Sequence, residues 1–190
     1  MRTLYHTLTP KSNGYNAERF PVETEDFIQK ATYEYLLSMK ETYDYYDHLG
    51  KIQAVVREHT VKEVGRRADL LLIKGGNLIC IEAKLQATKT LLDQARDHSR
   101  YADYTYLLLP ATNYAPKWFK NSLASEGFGL MVYSRTTGLV EPLEAHYNKP
   151  KDKALRKRVY AEVMEKGRLG PNPGELFTSS LDGPSPPSFD

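Results

Sequence analysis

Three charged residues beside two apolar runs have the types and spacing for chemistry in this sequence. Asp69 begins the run DLLLI, and the run NLICI is followed by Glu82 and Lys84, which one alanine separates. Charged groups at the end of a buried strand cost several kcal/mol unless a partner compensates them. Because side chains alternate between the two faces of a strand, Glu82 and Lys84 point to the same face. Something must therefore compensate these charges.

A hairpin turn is expected to bring Asp69 beside Glu82. Gly75, Gly76 and Asn77 tolerate positive φ, and a hairpin centred on the two glycines places residue 69 opposite residue 82. Two adjacent carboxylates repel each other and raise each other's pKa. A divalent cation relieves the repulsion, and carboxylate ligands suit Mg²⁺ or Mn²⁺. Lys84 could then orient or deprotonate a water, or stabilise negative charge on phosphorus.

The elements that hold these residues follow from the spacing of apolar residues. Thr24 is expected to cap a helix over residues 25–43. The other expected elements are strands over residues 52–64, 69–73, 78–84, 104–109 and 129–134, and helices over residues 88–102, 116–125 and 151–166. The order is one helix, three strands in a meander, and then alternating helices and strands. It predicts a mixed α/β (α+β) fold with helices on the faces of the sheet.

The spacing of Asp69, twelve residues and then Glu82-Ala83-Lys84 resembles the signature of the PD-(D/E)xK nuclease superfamily, which has a restriction-endonuclease-like αβββαβ core. The resemblance covers roughly residues 24 to 134, although Ala68 stands where that superfamily frequently has proline. It implies that Asp69 and Glu82 bind the metal and that Lys84 assists phosphodiester hydrolysis. The alternative is that the three residues form a structural salt bridge.

The same resemblance draws attention to two helices. Members often carry a Gln, sometimes in a QxxxY pattern, on the helix after the signature, and this chain has Gln94 with His98 at the tyrosine position and Tyr101 one turn on. A polar helix edge facing water is the alternative for Gln94 and His98. Many members also use a glutamate from the first helix, for which Glu34 is preferred here over Glu25.

Basic residues suggest how nucleic acid could be held. Arg66 and Arg67 precede Asp69 and could meet phosphates. The helix expected over residues 151–166 is rich in Lys and Arg and is called here the basic helix. Its apolar residues Leu155, Val159 and Val163 recur every four residues and could dock on the domain. The remaining candidates for phosphate contacts are Lys153, Arg156 and Lys157, which face partly outward. The alternative is a solvated helix face.

Composition limits the class of protein. The chain has 190 residues, a net charge of +2 and one cysteine, Cys80, so an intramolecular disulfide is excluded and a cytoplasmic, reducing compartment is expected. Cys80 itself is expected to be a small buried side chain. No apolar run approaches a membrane span, no signal-peptide core is visible at the N-terminus, and no glycine-rich phosphate motif indicates a nucleotide cofactor. The expected organisation is an arm (1–23), a nuclease-like core (24–145), a basic helical extension (146–170) and a flexible tail (171–190).

The function expected from these residues and from the resemblance is Mg²⁺-dependent hydrolysis of DNA, by an endo- or exodeoxyribonuclease of repair, phage or restriction-like type. DNA is the expected partner, and a symmetric dimer is the expected arrangement for cutting both strands. RNA cleavage remains open. The competing class is a noncatalytic nucleic-acid-binding or scaffold protein that keeps the nuclease fold.

Overall fold

The structure is a computed structural model that describes residues 24–38, 51–111, 115–134 and 137–168. The predicted arm over residues 1–23 and the predicted tail over residues 171–190 lie outside these ranges, as does the predicted end of the first helix near residue 43. None of the helices within the described ranges is both long and apolar enough to cross a membrane.

Helices and strands alternate through the described ranges largely in the predicted order. The helices are α1 (Glu25–Ser38), α2 (Lys89–His98), α3 (Lys117–Glu126) and α4 (Lys153–Gly167). The strands are β1 (Ile52–Val61), β2 (Arg66–Lys74), β3 (Asn77–Ala83), β4 (Tyr104–Pro110), β5 (Gly129–Ser134) and β6 (Gly138–Leu143). In the described part of the chain these strands form one six-stranded sheet in the order β1-β2-β3-β4-β5-β6. The mixed α/β class predicted from the sequence is confirmed.

The β2–β3 hairpin has the predicted register. Gly75 and Gly76 both have positive φ, 56° and 80°, and join Lys74 to its partner Asn77 in a two-residue turn. The pairing continues to Leu70 and Ile81, so residues 69 and 82 come next to each other at the far end. The two glycines therefore determine which residues meet six positions away along each strand.

The sheet is antiparallel at both sides and parallel in the middle. β1, β2 and β3 form an antiparallel meander, β4 runs parallel to both β3 and β5, and β6 returns antiparallel to β5. Leu107, Leu108 and Leu109 in β4 are fully buried, as expected for a central strand that is covered on both faces.

Alternating side chains give the sheet two apolar faces. Leu70, Leu72 and Ile81 face α1 and pack with its Ile28 and Leu36. Intervening residues of the same strands face α4 and pack with its buried stripe Leu155, Val159 and Val163. Residues of α2, α3 and β4 form a third apolar cluster. The predicted docking of the basic helix through its apolar stripe is confirmed.

Three predicted boundaries are wrong. The first strand ends at Val61, because Lys62–Val64 form a 3₁₀ turn that Gly65 terminates with φ 64°. The helix predicted to reach residue 102 ends at His98, since the amides of Tyr101 and Ala102 both donate to the His98 carbonyl oxygen in a turn. Gly129–Ser134 is not the last strand, because Gly138–Leu143 pairs with it. Pro142 is tolerated in β6 because that strand occupies the edge of the sheet.

Candidate active site

The candidate site lies at the end of the β2–β3 hairpin away from its glycine turn. Beyond the pair formed by Leu70 and Ile81, the two strands are joined by hydrogen bonds from backbone amides to side-chain carboxylates. The Asp69 amide donates to Glu82 Oε1 at 3.4 Å, and the Ala83 amide donates to Asp69 Oδ2 at 2.8 Å. The Lys84 amide turns to β4 and donates to the Leu108 carbonyl oxygen at 3.0 Å. The strand end thus holds both carboxylates in fixed positions.

Asp69 is a buried carboxylate in an unfavourable electrostatic environment. Its pKa is raised from 3.8 to about 6, first because burial disfavours the charged form and then because the charge of Glu82 repels it. The amide of Ala83 and the charge of Lys84 act in the opposite direction on the same pKa. These two groups only partly offset burial and repulsion, so a cation at this position would stabilise the ionised form.

Glu82 is fully buried and lacks a partner for one of its oxygens. Its Oε2 atom accepts no hydrogen bond, whereas Oε1 lies 3.4 Å from the Asp69 amide nitrogen and 2.9 Å from His98 Nε2. The His98 contact is close but is not aligned as a hydrogen bond, and Nε2 has no other partner. A buried unpartnered carboxylate oxygen is costly, and a divalent cation would satisfy it. The donor set of Asp69 and Glu82 therefore fits Mg²⁺ or Mn²⁺.

Lys84 is paired with the first helix through Glu25. Its Nζ atom contacts Glu25 Oε1, and the two side chains remain 30% and 36% exposed. Glu34, the residue preferred from the sequence, is 63% exposed and lies 4.0 Å from Lys30 on the solvent side of α1. The structure thus places Glu25 rather than Glu34 beside Lys84, and close enough to Asp69 for its charge to raise the Asp69 pKa.

Helix α2 brings polar residues to the face of the sheet that carries Cys80 and Glu82, whereas α1 packs on the opposite face. The Oε1 atom of Gln94 is buried without a hydrogen-bond partner, and one turn later the side chain of His98 is fully buried against Glu82. His98 Nδ1 lies 2.6 Å from the Tyr101 hydroxyl. The water-facing alternative is therefore wrong for His98. The spacing of residues 94, 98 and 101 had indicated one shared edge, but not that this edge is buried.

Cys80 lies beside these polar residues, two residues before Glu82 and on the same face of β3. Its side chain is fully buried, as predicted. Burial raises the pKa of the Cys80 thiol, and the charges of Glu82 and Asp69 raise that pKa further, while a hydrogen bond with Tyr101 lowers it. Burial likewise raises the pKa of Tyr101. Both groups therefore stay protonated in the absence of a cation.

The basic residues proposed to contact phosphates are distributed over two regions. Near the site, Arg66 lies 2.9 Å from Asp97 and Arg67 lies 3.4 Å from Glu58, and both arginines stay largely exposed. On α4, Lys153 and Lys157 are exposed. Arg156 is instead held by Asp103 through three hydrogen bonds and by the Gly76 carbonyl oxygen at 3.3 Å. It contacts the hairpin turn, at the end of the hairpin away from Asp69.

The fold and site together define a mixed α/β protein with two buried carboxylates and a lysine at the end of a strand. No family model, no curated protein and no solved structure matches this chain. What the site can do chemically is therefore inferred from its own residues and their geometry. Two carboxylates can hold a hard divalent cation, and an ammonium group beside them can bind an anionic oxygen.

Proposed function

We propose that this protein is a metal-dependent nuclease that hydrolyses phosphodiester bonds, with DNA as the expected substrate. The observation that carries the proposal is the pairing of buried Asp69 with buried Glu82, whose Oε2 has no partner, beside the ammonium group of Lys84. The order of elements from α1 to β4 supports a core of the PD-(D/E)xK type. Hydrolysis of a phosphodiester needs charge neutralisation and an activated water, and these residue types can provide both.

Asp69 and Glu82 are the proposed metal ligands. Asp69 Oδ2 accepts the bond from the Ala83 amide, which orients the carboxylate. Glu82 is fixed by burial and has Oε2 available as a ligand atom. When bound, Mg²⁺ or Mn²⁺ would stabilise charge on the phosphate and lower the pKa of a coordinated water. The raised pKa of Asp69 means that binding has to overcome a partly protonated carboxyl group only near and below about pH 6.

Lys84 is the proposed catalytic residue that contacts the phosphate or the attacking water. Its Nζ atom is held by Glu25 from α1, and its half-exposed position leaves the ammonium group accessible to a substrate from solvent. Glu25 is accordingly a positioning residue for Lys84 in this proposal. Gln94 is a candidate for a hydrogen bond to the substrate or to a bound water, since its Oε1 atom has no protein partner.

The proposed DNA contacts are electrostatic. Arg66 and Arg67 precede Asp69 on β2, so they can reach the phosphates that flank the cleaved bond. Lys153 and Lys157 can add contacts that carry no base information, whereas Arg156 is committed to Asp103. A symmetric dimer would allow both strands to be cut.

The proposal is tested by cleavage assays on supercoiled, linear, single-stranded and branched DNA and on single-stranded RNA, each in Mg²⁺, Mn²⁺ or EDTA. We expect cleavage of DNA that depends on the divalent ion. Lys84→Ala should reduce turnover by about 10²-fold or more, because the ammonium group acts on charge that develops in the transition state. Calorimetry should find Mn²⁺ binding by this variant close to that of the wild type.

The matched control is Lys89→Ala, which removes an exposed lysine five residues further along the chain. It should cleave like the wild type. Cleavage by Lys84→Ala within a few-fold of the wild type would contradict the role of Lys84. Binding of DNA without cleavage of any substrate by the wild type would favour the noncatalytic nucleic-acid-binding alternative, and cleavage of RNA alone would change the substrate class.

A further inference from the structure

A second group of potential metal ligands lies beside the carboxylate pair and includes a residue with no role in the proposed nuclease chemistry. Cys80, Glu82 and His98, called here the CEH cluster, are each fully buried. One ligand atom from each residue, a thiol sulfur, a carboxylate oxygen and an imidazole nitrogen, lies within 4.8 Å of the other two. Cys80 and Glu82 alternate on β3, and His98 comes from the last turn of α2.

The spacing suits a tetrahedral ion of the size of Zn²⁺. Zinc bonds of about 2.3 Å to sulfur and about 2.0–2.2 Å to nitrogen and oxygen place ligand atoms about 3.5 Å from one another. In the CEH cluster the three ligand atoms lie within 4.8 Å of one another, which is somewhat more than this spacing. His98 Nε2 already lies 2.9 Å from Glu82 Oε1. Small side-chain rotations would therefore suffice to form the site.

The hydrogen bonds of the cluster leave ligand atoms without partners. His98 Nδ1 is engaged with the Tyr101 hydroxyl at 2.6 Å, so Nε2 is the ring nitrogen that faces Glu82. Both Nε2 and Glu82 Oε2 are buried and lack a hydrogen-bond partner. A metal-bound histidine usually has its second ring nitrogen held by an oxygen of a carboxylate, a backbone carbonyl or water, and the Tyr101 hydroxyl oxygen can hold His98 Nδ1 in the same way. Hydrogen bonding alone thus does not account for these two atoms.

We propose that Cys80, Glu82 and His98 form a binding site for a divalent transition metal of the Zn²⁺ type, supported by Tyr101. On binding, the Cys80 thiol releases its proton to solvent and the sulfur forms a bond to the metal. Three protein ligands leave one position for water, as in catalytic zinc sites. The thiolate and imidazole select a softer ion than Mg²⁺. Glu82 belongs to both sites, so a metal in the CEH cluster competes with Mg²⁺ held by Asp69 and Glu82.

The test is titration of the chelator-treated full chain with Co²⁺, followed by absorption spectroscopy. Cys80 is the one cysteine of the chain, so a thiolate-to-cobalt charge-transfer band in the wild type has a single possible source. We expect this band, with visible bands of tetrahedral intensity, to saturate at one Co²⁺ per chain and to be removed by Zn²⁺ at equal concentration, whereas Mg²⁺ should remove it only in large excess, by competing for Glu82. Absence of the band at saturating Co²⁺ would overturn the proposal, as would weak octahedral bands alone.

Variants identify the other ligands independently of nuclease activity. His98→Ala should lose the tetrahedral bands, and Tyr101→Phe should weaken Co²⁺ binding by about 10- to 100-fold because the support of His98 is removed. Asp69→Asn is the matched control: it should keep the charge-transfer band while losing Mn²⁺ binding. Loss of the band in Asp69→Asn would overturn the separate site. An inactive wild type that still binds Co²⁺ through Cys80 would count against the nuclease and not against the CEH cluster.

Discussion

Asp69 is ionised at neutral pH at a cost, because both burial and the neighbouring Glu82 favour its protonated form. The pKa of about 6 exceeds that of an exposed aspartate by about two units. Each unit corresponds to about 1.4 kcal/mol, so the metal-free folded state loses up to about 3 kcal/mol when Asp69 ionises. A bound dication would recover this free energy, which is a physical reason for such a pair to persist at a strand end.

The cost predicts a pH-dependent stability difference between the wild type and Asp69→Asn in EDTA. The folded wild type binds the Asp69 proton more tightly than the unfolded chain does, so its stability should fall as pH rises from about 4 to about 6 and then level off. Asparagine has nearly the same shape and does not ionise. Denaturant unfolding should therefore find the variant more stable than the wild type by up to about 3 kcal/mol at pH 8, and nearly equal at pH 4.

Asp93→Asn is the control for this comparison, since the Asp93 side chain is 59% exposed and its loss should change stability little at any pH. Asp69→Asn should also lose Mn²⁺ binding by calorimetry. A variant that binds Mn²⁺ like the wild type, or whose stability difference from the wild type does not change with pH, would exclude the assignment of Asp69.

The sequence predicted part of the site because strand geometry is local. The glycine turn determines the register, and the register brings residue 69 to residue 82. The choice between Glu25 and Glu34 was not determined in this way, because the face of α1 that docks is not simply its apolar face. Its buried residues include the polar Gln29 and Thr32, and this places Glu25 on the buried side of the helix and Glu34 on the solvent side. The burial of His98 is likewise a tertiary property, since a polar helix edge has the same pattern in either environment.

Among the elements, those with strong periodicity or a clear turn were predicted well, and the edge strand β6 was missed. Its six residues are mostly half-buried and include Pro142, so they lack the alternation of a strand that covers a core. β6 is stabilised by its pairing with β5, in which Ser134 lies opposite Gly138, a residue with φ 72°. The end of α4 carries another tertiary constraint: a Cβ atom on Gly167 would lie 2.4 Å from the Val55 carbonyl oxygen.

Helix α4 is attached to the sheet by polar contacts as well as by its apolar stripe, so loss of a polar contact should lower stability. Asp103 is almost fully buried and accepts bonds from Arg156 and from the Leu78 amide. Arg156→Gln leaves that carboxylate without its charged partner and should lower the free energy of unfolding by about 2–3 kcal/mol. This is below the range for a fully buried pair because the Arg156 side chain is 29% exposed.

Denaturant unfolding of Arg156→Gln, Lys153→Gln and Lys157→Gln provides the measurement. The two lysines are exposed on the same helix, so their substitutions should change stability by no more than about 0.5 kcal/mol. Equal effects of all three substitutions would mean that the contact between Arg156 and Asp103 contributes little. The three residues, which look equivalent in the sequence, would then be equivalent in the folded protein as well.

At the scale of the whole molecule, the described basic residues that were proposed to contact DNA lie towards opposite ends of the β2–β3 hairpin. Arg66 and Arg67 lie on β2 just before Asp69, whereas Arg156 reaches Gly76 at the other end of the hairpin. Asp69 and Gly76 are seven residue steps apart along the hairpin, a distance of roughly 20 Å. If DNA binds at the site as proposed, it must extend over about this distance to reach α4.

If the protein binds DNA as proposed, the exposed lysines of α4 are expected to contribute through phosphate contacts. Each phosphate contact adds about 0.9 to the slope of log affinity against log salt concentration. If Lys153 and Lys157 both contact phosphates, the double Gln variant should lower that slope by up to about 2 and weaken all duplex sequences alike. Arg156 is retained because its substitution is expected to destabilise the protein by removing the contact with Asp103. The affinities are measured by fluorescence anisotropy on the Lys84→Ala background, and Lys166→Gln, at the exposed far end of α4, is the control. An unchanged slope in the double variant would make these lysines part of a solvated helix face, and DNA binding would then depend on the arginines beside Asp69.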